Sequence, residues 1–169
     1  MPVSMYRLTV PAFQRGLTNL GVYLDKAEKF VAEKGIDPVD LVGARLAPDM
    51  LPLSGQYQRA TDSAKLALAR LTGTDAPKFE DNETTIADLR ARLAKTEAYL
   101  ATITPDALDG SEGREVVISP GGNKVIFRGE DYLTSFALPN FYFHIATAHG
   151  ILRNQGAPVG KLDYLGRLG

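Results

Sequence analysis

From position 13 to position 31 the apolar residues recur at steps of three and four: Phe13, Leu17, Leu20, Leu24, Ala27 and Val31. That spacing lines them along one face of an α-helix. It predicts a first helix over residues 9–34, with Pro11 in the first turn, where a missing N–H costs nothing. Gly35 follows as a natural stop, because glycine adopts the left-handed conformation cheaply. The next stretch, "IDPVDLVGARLAPDMLPLSG", is punctuated by Pro38, Pro48 and Pro52. It reads as a long connection with one short helical turn over 38–41. A second helix is expected over 53–71, its inward face made of Tyr57, Ala60, Ala64, Ala67, Leu68 and Leu71, with Gly73 ending it. The alanines allow a neighbouring helix to approach closely. A third opens at Thr84 or Thr85, where Thr85 and Asp88 approximate a capping box. Its stripe is Ile86, Leu89, Leu93, Thr96, Leu100 and Ile103, and Thr104-Pro105 closes it, since the residue before a proline avoids helical angles.

The period then changes. "EVVISPGGNKVIF" is two β-branched runs around Pro120-Gly121-Gly122-Asn123, a hairpin with a four-residue loop. A lone hairpin is marginal in water, so this one must pack against helices. A last helix is expected over 131–154, kinked or split at Pro139 and ended by Gly156. One of its faces carries Leu133, Phe136, Asn140, Phe143, His144, Thr147 and Ile151; another carries Leu138, Phe141, Tyr142, Ile145, Ala148 and Leu152. A helix apolar nearly all round is buried nearly all round, either as the centre of a bundle or against another subunit. The expectation is a homodimer through this helix, isologous dimers being the commonest assembly. The tail, "APVGKLDYLGRLG", is short and should fold over the outside. No repeat, low-complexity tract or linker interrupts the chain. These elements predict an all-α protein, one four-helix-bundle domain over residues 1–169, with a small β-hairpin inserted before the last helix.

Composition narrows the functions. The 169 residues are 44% hydrophobic and 23% charged, ordinary for a globular protein. A formal net charge of −1 leaves no basic surplus for phosphate neutralisation, which argues against nucleic-acid binding. The absence of cysteine excludes disulfides, thiolate nucleophiles and cysteine zinc sites, and leans toward the cytosol. "MPVSMYRLTVPAF" lacks the pattern of a secretory signal, and no run approaches the roughly 18 apolar residues of a membrane span. The sequence therefore reads as soluble and cytoplasmic, with no membrane partner.

Little else suggests chemistry except the two histidines, His144 and His149, both on the predicted last helix. A five-residue step on a helix turns roughly 140°, so the pair cannot chelate one ion as a four-residue step would. His144 shares a face with Asn140, one turn earlier. It reads as a core histidine held by a hydrogen bond, as a ligand-binding or acid–base residue, or as one ligand of a metal with partners elsewhere. His149 reads as partly exposed or at an interface. The nearest candidate partners are Asp49, Gln56, Arg59 and Asp62 around the start of the second helix. Gln56 adjoins the inward Tyr57 and could tilt into the core. Arg59 and Asp62 read as a surface pair, and Asp49 as the cap of a turn. Neither histidine has a glutamate three residues before it, which excludes a di-iron bundle. "SPGGNK" is a hairpin loop, "GAPVGKL" is one residue short of a P-loop and lacks its Ser/Thr, and no G-x-S-x-G elbow occurs.

Five stretches carry a family resemblance: "FYFH", "ILRNQG" and "GKLDYLG" near the C-terminus, "RLAPDMLPLSGQ" before the second helix and "ALARLTG" at its end. Through them, essentially the whole chain resembles the bacterial domain-of-unknown-function family one-nine-nine-three, a branch of the DinB/YfiT-like bundles. The resemblance implies a four-helix bundle, often dimeric. Many relatives carry a metal on one histidine from helix two and a His-x-x-x-His pair from the last helix, and the characterised ones include metal-dependent thiol transferases, isomerases and hydrolases. Here helix two has no histidine, and Ala148 stands where the pair with His144 would be completed. The expectation is an inter-helix cleft that binds a small molecule with no cofactor. His144, Asn140, Gln56 and Asp49 would be its polar contacts; Tyr57, Tyr142 and Phe143 its walls. Two alternatives remain: a divergent metal-dependent transferase or hydrolase holding a divalent ion on His144 and Asp49, or a structural or partner-binding homodimer without cleft chemistry.

Overall fold

The computed structural model describes residues 3–166. Helix α1, Met5–Lys34, begins a turn before the expected start. The reason is Ser4, whose hydroxyl accepts the Arg7 amide at 3.3 Å and caps the helix. Pro11 therefore sits inside α1 and not in its first turn, leaving the Arg7 carbonyl without its usual amide four residues on. Gly35 ends the helix in the left-handed conformation as expected. A short α2, Pro38–Gly43, is capped by Asp37. Helix α3, Leu53–Thr72, ends at Gly73, also left-handed. Helix α4, Ile86–Leu100, opens with the full reciprocal capping box of Thr85 and Asp88. It stops ahead of Thr104-Pro105, and Ile103 is only partly buried.

Strands β1, Glu115–Ile118, and β2, Val125–Arg128, pair antiparallel, with Ile118 opposite Val125. The loop between them is six residues, 119–124, because Ser119 and Lys124 fall outside the ladder. Gly121 and Gly122 turn the chain there with positive φ. Val116, Ile118, Val125 and Phe127 form the face turned to the helices, while Val117 and Ile126 face outward. The chain leaves the hairpin through Gly129, whose missing Cβ makes room for the Ser111 carbonyl.

The last long helix passes its proline without a break. It begins at Gly129, runs as α5, Gly129–Tyr132, widens into a π-turn over Leu133–Ala137, and continues as α6, Leu138–Asn154. The Leu138 amide reaches back five residues to Leu133. This wider turn is how a helix admits Pro139, which lacks an N–H and crowds the carbonyl four residues before it. A short α7, Lys161–Leu165, ends the described tail and lies on α1: Asn19 donates to the Tyr164 carbonyl, and Lys26 pairs with Asp163 at 2.7 Å. Arg167–Gly169 of the expected tail lie outside the described residues.

One apolar core joins α1, α3, α4 and the last helix. All the expected inward residues of α1 and α3 are buried. The most extensive pairing is α3 with α6. At the α1–α6 crossing Gly16 lies under the Phe141 ring and the Ile145 tip, and Phe13 meets Phe141 edge to face. The last helix is not buried all round. Tyr142 and Phe143 are 38% and 56% exposed, and Pro139 and Ala146 also face solvent. Among the described residues no helix is long and apolar enough to cross a membrane.

The third connection, between α3 and α4, is fastened by a buried charge. Arg92 is 2% exposed, and its guanidinium makes four hydrogen bonds. Nε donates to the Thr61 hydroxyl at 2.7 Å, Nη1 to Glu83 and the Glu80 carbonyl, and Nη2 to Asp62, while Asp81 lies in ion-pair contact with Nη2 at 3.1 Å. Asp62 also takes Lys65 at 3.0 Å, and Lys65 lies 4.0 Å over the Phe79 ring. Arg59 and Asp62 are thus part of a network reaching into the protein, and not an isolated surface pair; Asp62 is shared by Arg59, Lys65 and Arg92. Burial raises the Glu83 pKa, but hydrogen bonds from Arg92 and Gln58 outweigh it and hold the carboxyl below its ordinary value. Glu83 therefore stabilises the fold above the ordinary glutamate pKa, and that contribution is lost as pH falls through the lowered one. Arg92→Ala is expected to destabilise by about 3–5 kcal/mol and to reduce the acid dependence of stability, both read from urea unfolding at several pH values.

Candidate functional site

The face of α6 toward α3 brings His144 to Gln56, and the sequence candidates meet here first. His144 Nδ1 lies 2.8 Å from Gln56 Oε1. The orientation of the amide follows from its other end, where Gln56 Nε2 donates to the Leu51 carbonyl at 3.0 Å. Oε1 can only accept, so Nδ1 carries the imidazole proton and Nε2 keeps its lone pair. Among the described residues Nε2 has no hydrogen-bond partner. His144 is 9% exposed. Burial, with the Arg59 charge added, lowers its pKa from 6.5 to about 4. The ring is therefore neutral at physiological pH, an acceptor and a weak base.

Alongside this pair lies a cleft of about 250 Å³ between α3, the hairpin end and the last helix. Its α3 side is Arg59, Ser63, Leu66 and Arg70, which fall on one helical face, with Asp62 beside them. At its floor Asn140 Nδ2 donates to Ser63 Oγ at 2.7 Å, and Ser63 in turn donates to the Arg59 carbonyl. At the other end Arg70 Nη1 donates to the Tyr132 hydroxyl at 2.9 Å. Tyr132 is buried, which raises its pKa, and its ring stacks on Phe136 with centroids 5.9 Å apart. The cleft is thus polar along its floor and aromatic along one wall.

The remaining candidates are elsewhere. Tyr57 is wholly buried, its hydroxyl donating to the Leu20 carbonyl at 2.8 Å, so it belongs to the core and is no cleft wall. Tyr142 borders a different groove, with Arg15, Asn19 and Tyr164. Phe143 faces solvent. Asp49 is exposed on the connection before α3, with no hydrogen-bond or ion-pair partner among the described residues. His149 turns to α1, where its Nδ1 lies 3.1 Å from the Tyr23 hydroxyl. The two imidazoles contact different helices, as the five-residue step requires. Ser63, Arg70 and Tyr132 carry no sequence signal of their own; Ser63 meets Asn140, and Arg70 meets Tyr132, only once the helices are paired.

The residues present do not make a three-histidine metal centre. The α3 position nearest His144 is an amide already engaged at both ends, and Ala148 is fully buried. Among the described residues no three histidine, aspartate or glutamate side chains gather closely enough to hold an ion, so Asp49 and His144 have no third partner of that kind.

Removal of the Gln56 amide would strand the His144 N–H in the interior. Gln56→Ala is expected to cost about 1–3 kcal/mol in urea unfolding. Because the folded-state pKa of His144 is depressed, its contribution to stability is present above the unfolded value of 6.5 and is lost as pH falls toward about 4. In an NMR titration of the imidazole resonances His144 should remain neutral until near pH 4; a midpoint at 6.5 would show a solvated ring.

With this geometry in place, the comparisons with known proteins agree on one family. Residues 5–165 match the family described as Domain of unknown function (DUF1993). The crystal structure of a DinB family member protein from Shewanella denitrificans is similar at 42% identity, covering 97% of this chain and 93% of that one with a TM-score of 0.92. No curated protein matches. The chain belongs to the DUF1993 family and has the fold of the DinB-like four-helix bundles.

Proposed function

We propose that this chain is a cytoplasmic protein that binds a small molecule in the cleft between α3, the hairpin and the last helix, without three-histidine metal chemistry. The observation that carries this reading is the cleft's lining: the Asn140–Ser63 polar floor beside the stacked Tyr132–Phe136 wall. A few oriented polar groups against an aromatic surface are the usual make-up of a ligand pocket, and about 250 Å³ has room only for a small ligand. His144 does not line this cleft; it stands behind it with Gln56, and its support for the reading is the rigid α3–α6 seam it helps to build.

A second reading rests on the exposed side of α6. Pro139, Tyr142, Phe143 and Ala146 present an apolar strip to solvent, which supports a homodimer through this helix. Light scattering should then give twice the chain mass for the unmodified protein and the single-chain mass for Phe143→Glu.

The binding reading is tested by protein-observed NMR titration with small aromatic acids, amines and neutral amides. Binders should shift the Asn140 side-chain amide resonances, and Ser63→Leu should weaken them at least about tenfold. Binders that leave those resonances unmoved and ignore Ser63→Leu would place the ligand elsewhere.

A further inference from the structure

The charges around the cleft do not cancel, and this extends the binding reading to a ligand class, on which it rests. Asp62, the cleft's carboxylate, is taken up by Arg92 and Lys65 at 3.0 Å each and by Arg59 at 3.5 Å. Arg59 is further committed to Asp81. Arg70 differs: among the described residues no carboxylate lies within ion-pair reach of it, and its guanidinium donates to the neutral Tyr132 hydroxyl. That hydroxyl accepts from Arg70, so its own hydrogen is still to be placed, and it finds no acceptor among the described residues. Two donors, one of them charged, therefore sit 2.9 Å apart at the end of an aromatic wall with nothing anionic against them.

We propose that the cleft's ligand is a small carboxylate with a flat apolar body, its carboxylate bridging Arg70 and the Tyr132 hydroxyl and its body lying along Phe136. A guanidinium presents paired N–H groups that match the two oxygens of a carboxylate, and a charged donor makes the stronger hydrogen bond. A phosphate offers similar oxygens but brings close to two negative charges. One unmatched guanidinium favours the monoanion.

The test compares benzoate, benzamide, phenyl phosphate and benzylamine, one ring with four head groups, by NMR titration of the unmodified protein and of Arg70→Gln and Arg70→Lys. Benzoate should bind at least about tenfold more tightly than benzamide. Arg70→Gln should bring that ratio near unity while leaving benzamide within about twofold, and Arg70→Lys should restore part of it. Equal affinities for benzoate and benzamide, both shifting the Asn140 amide, would overturn the carboxylate assignment and leave the cleft reading intact. Tighter phenyl phosphate than benzoate, lost with Arg70→Gln, would overturn the choice of carboxylate. A benzoate preference that survives Arg70→Gln would overturn the role of Arg70. Absence of binding by all four, or shifts confined to other surfaces, would overturn both the class and the cleft. Matching melting curves for the variants keep loss of folding apart from loss of binding.

Discussion

The last helix must carry a proline through the middle of the bundle, and most of the arrangement around the cleft follows from how it does so. The π-turn over Leu133–Ala137 absorbs Pro139 without ending the helix. Below it, three sides of α6 have three tasks. Asn140 and His144 meet Ser63 and Gln56 of α3. Phe141 and Ile145 close over Gly16 of α1. Tyr142 and Phe143 turn to solvent. Above it, Tyr132 and Phe136 come to stand beside the hairpin and opposite Arg70. A straight helix broken at the proline would not hold these two groups on one side of α3.

Helix α3 is held from both flanks. On one side its small residues admit α6 closely; on the other, Thr61, Asp62 and Lys65 are engaged by Arg92 of α4 or by one another. A buried guanidinium is tolerable only when it is hydrogen-bonded and paired, and four acceptors from α3 and the connection before α4, with Asp81 in ion-pair contact, do this. The same network draws the Asp62 charge away from the cleft. Structural electrostatics on one flank of α3 thereby sets the charge balance on the other.

The helices were legible because their apolar periods are long and their ends carry recognisable caps; Thr85 with Asp88, Gly35 and Gly73 all act as their residue types suggest. The Gln56–His144 pair was legible too, since both are polar residues on otherwise apolar faces. Tyr142 and Phe143 were not, because residue type alone does not separate an apolar side chain facing solvent from one facing a core. Tyr57 was misplaced for the converse reason: its hydroxyl suggests a site, but the Leu20 carbonyl satisfies it inside the core. The Arg70–Tyr132 pair is not legible in the sequence, because the two are 62 positions apart and ordinary in their own helices. The early start of α1 turned on one serine, and the longer hairpin loop on two residues left out of the ladder.

Ala148 has a consequence for what this scaffold can become. It is fully enclosed, one turn after His144, where a second imidazole would share its face. An imidazole there would need both space and a hydrogen-bond partner in a packed interior, an overpacking cost of about 1–3 kcal/mol before any ion could compensate it. Gln56 is likewise fastened at both ends. A second imidazole on this face therefore requires several core positions to change together. The seam excludes one by packing as much as by chemistry.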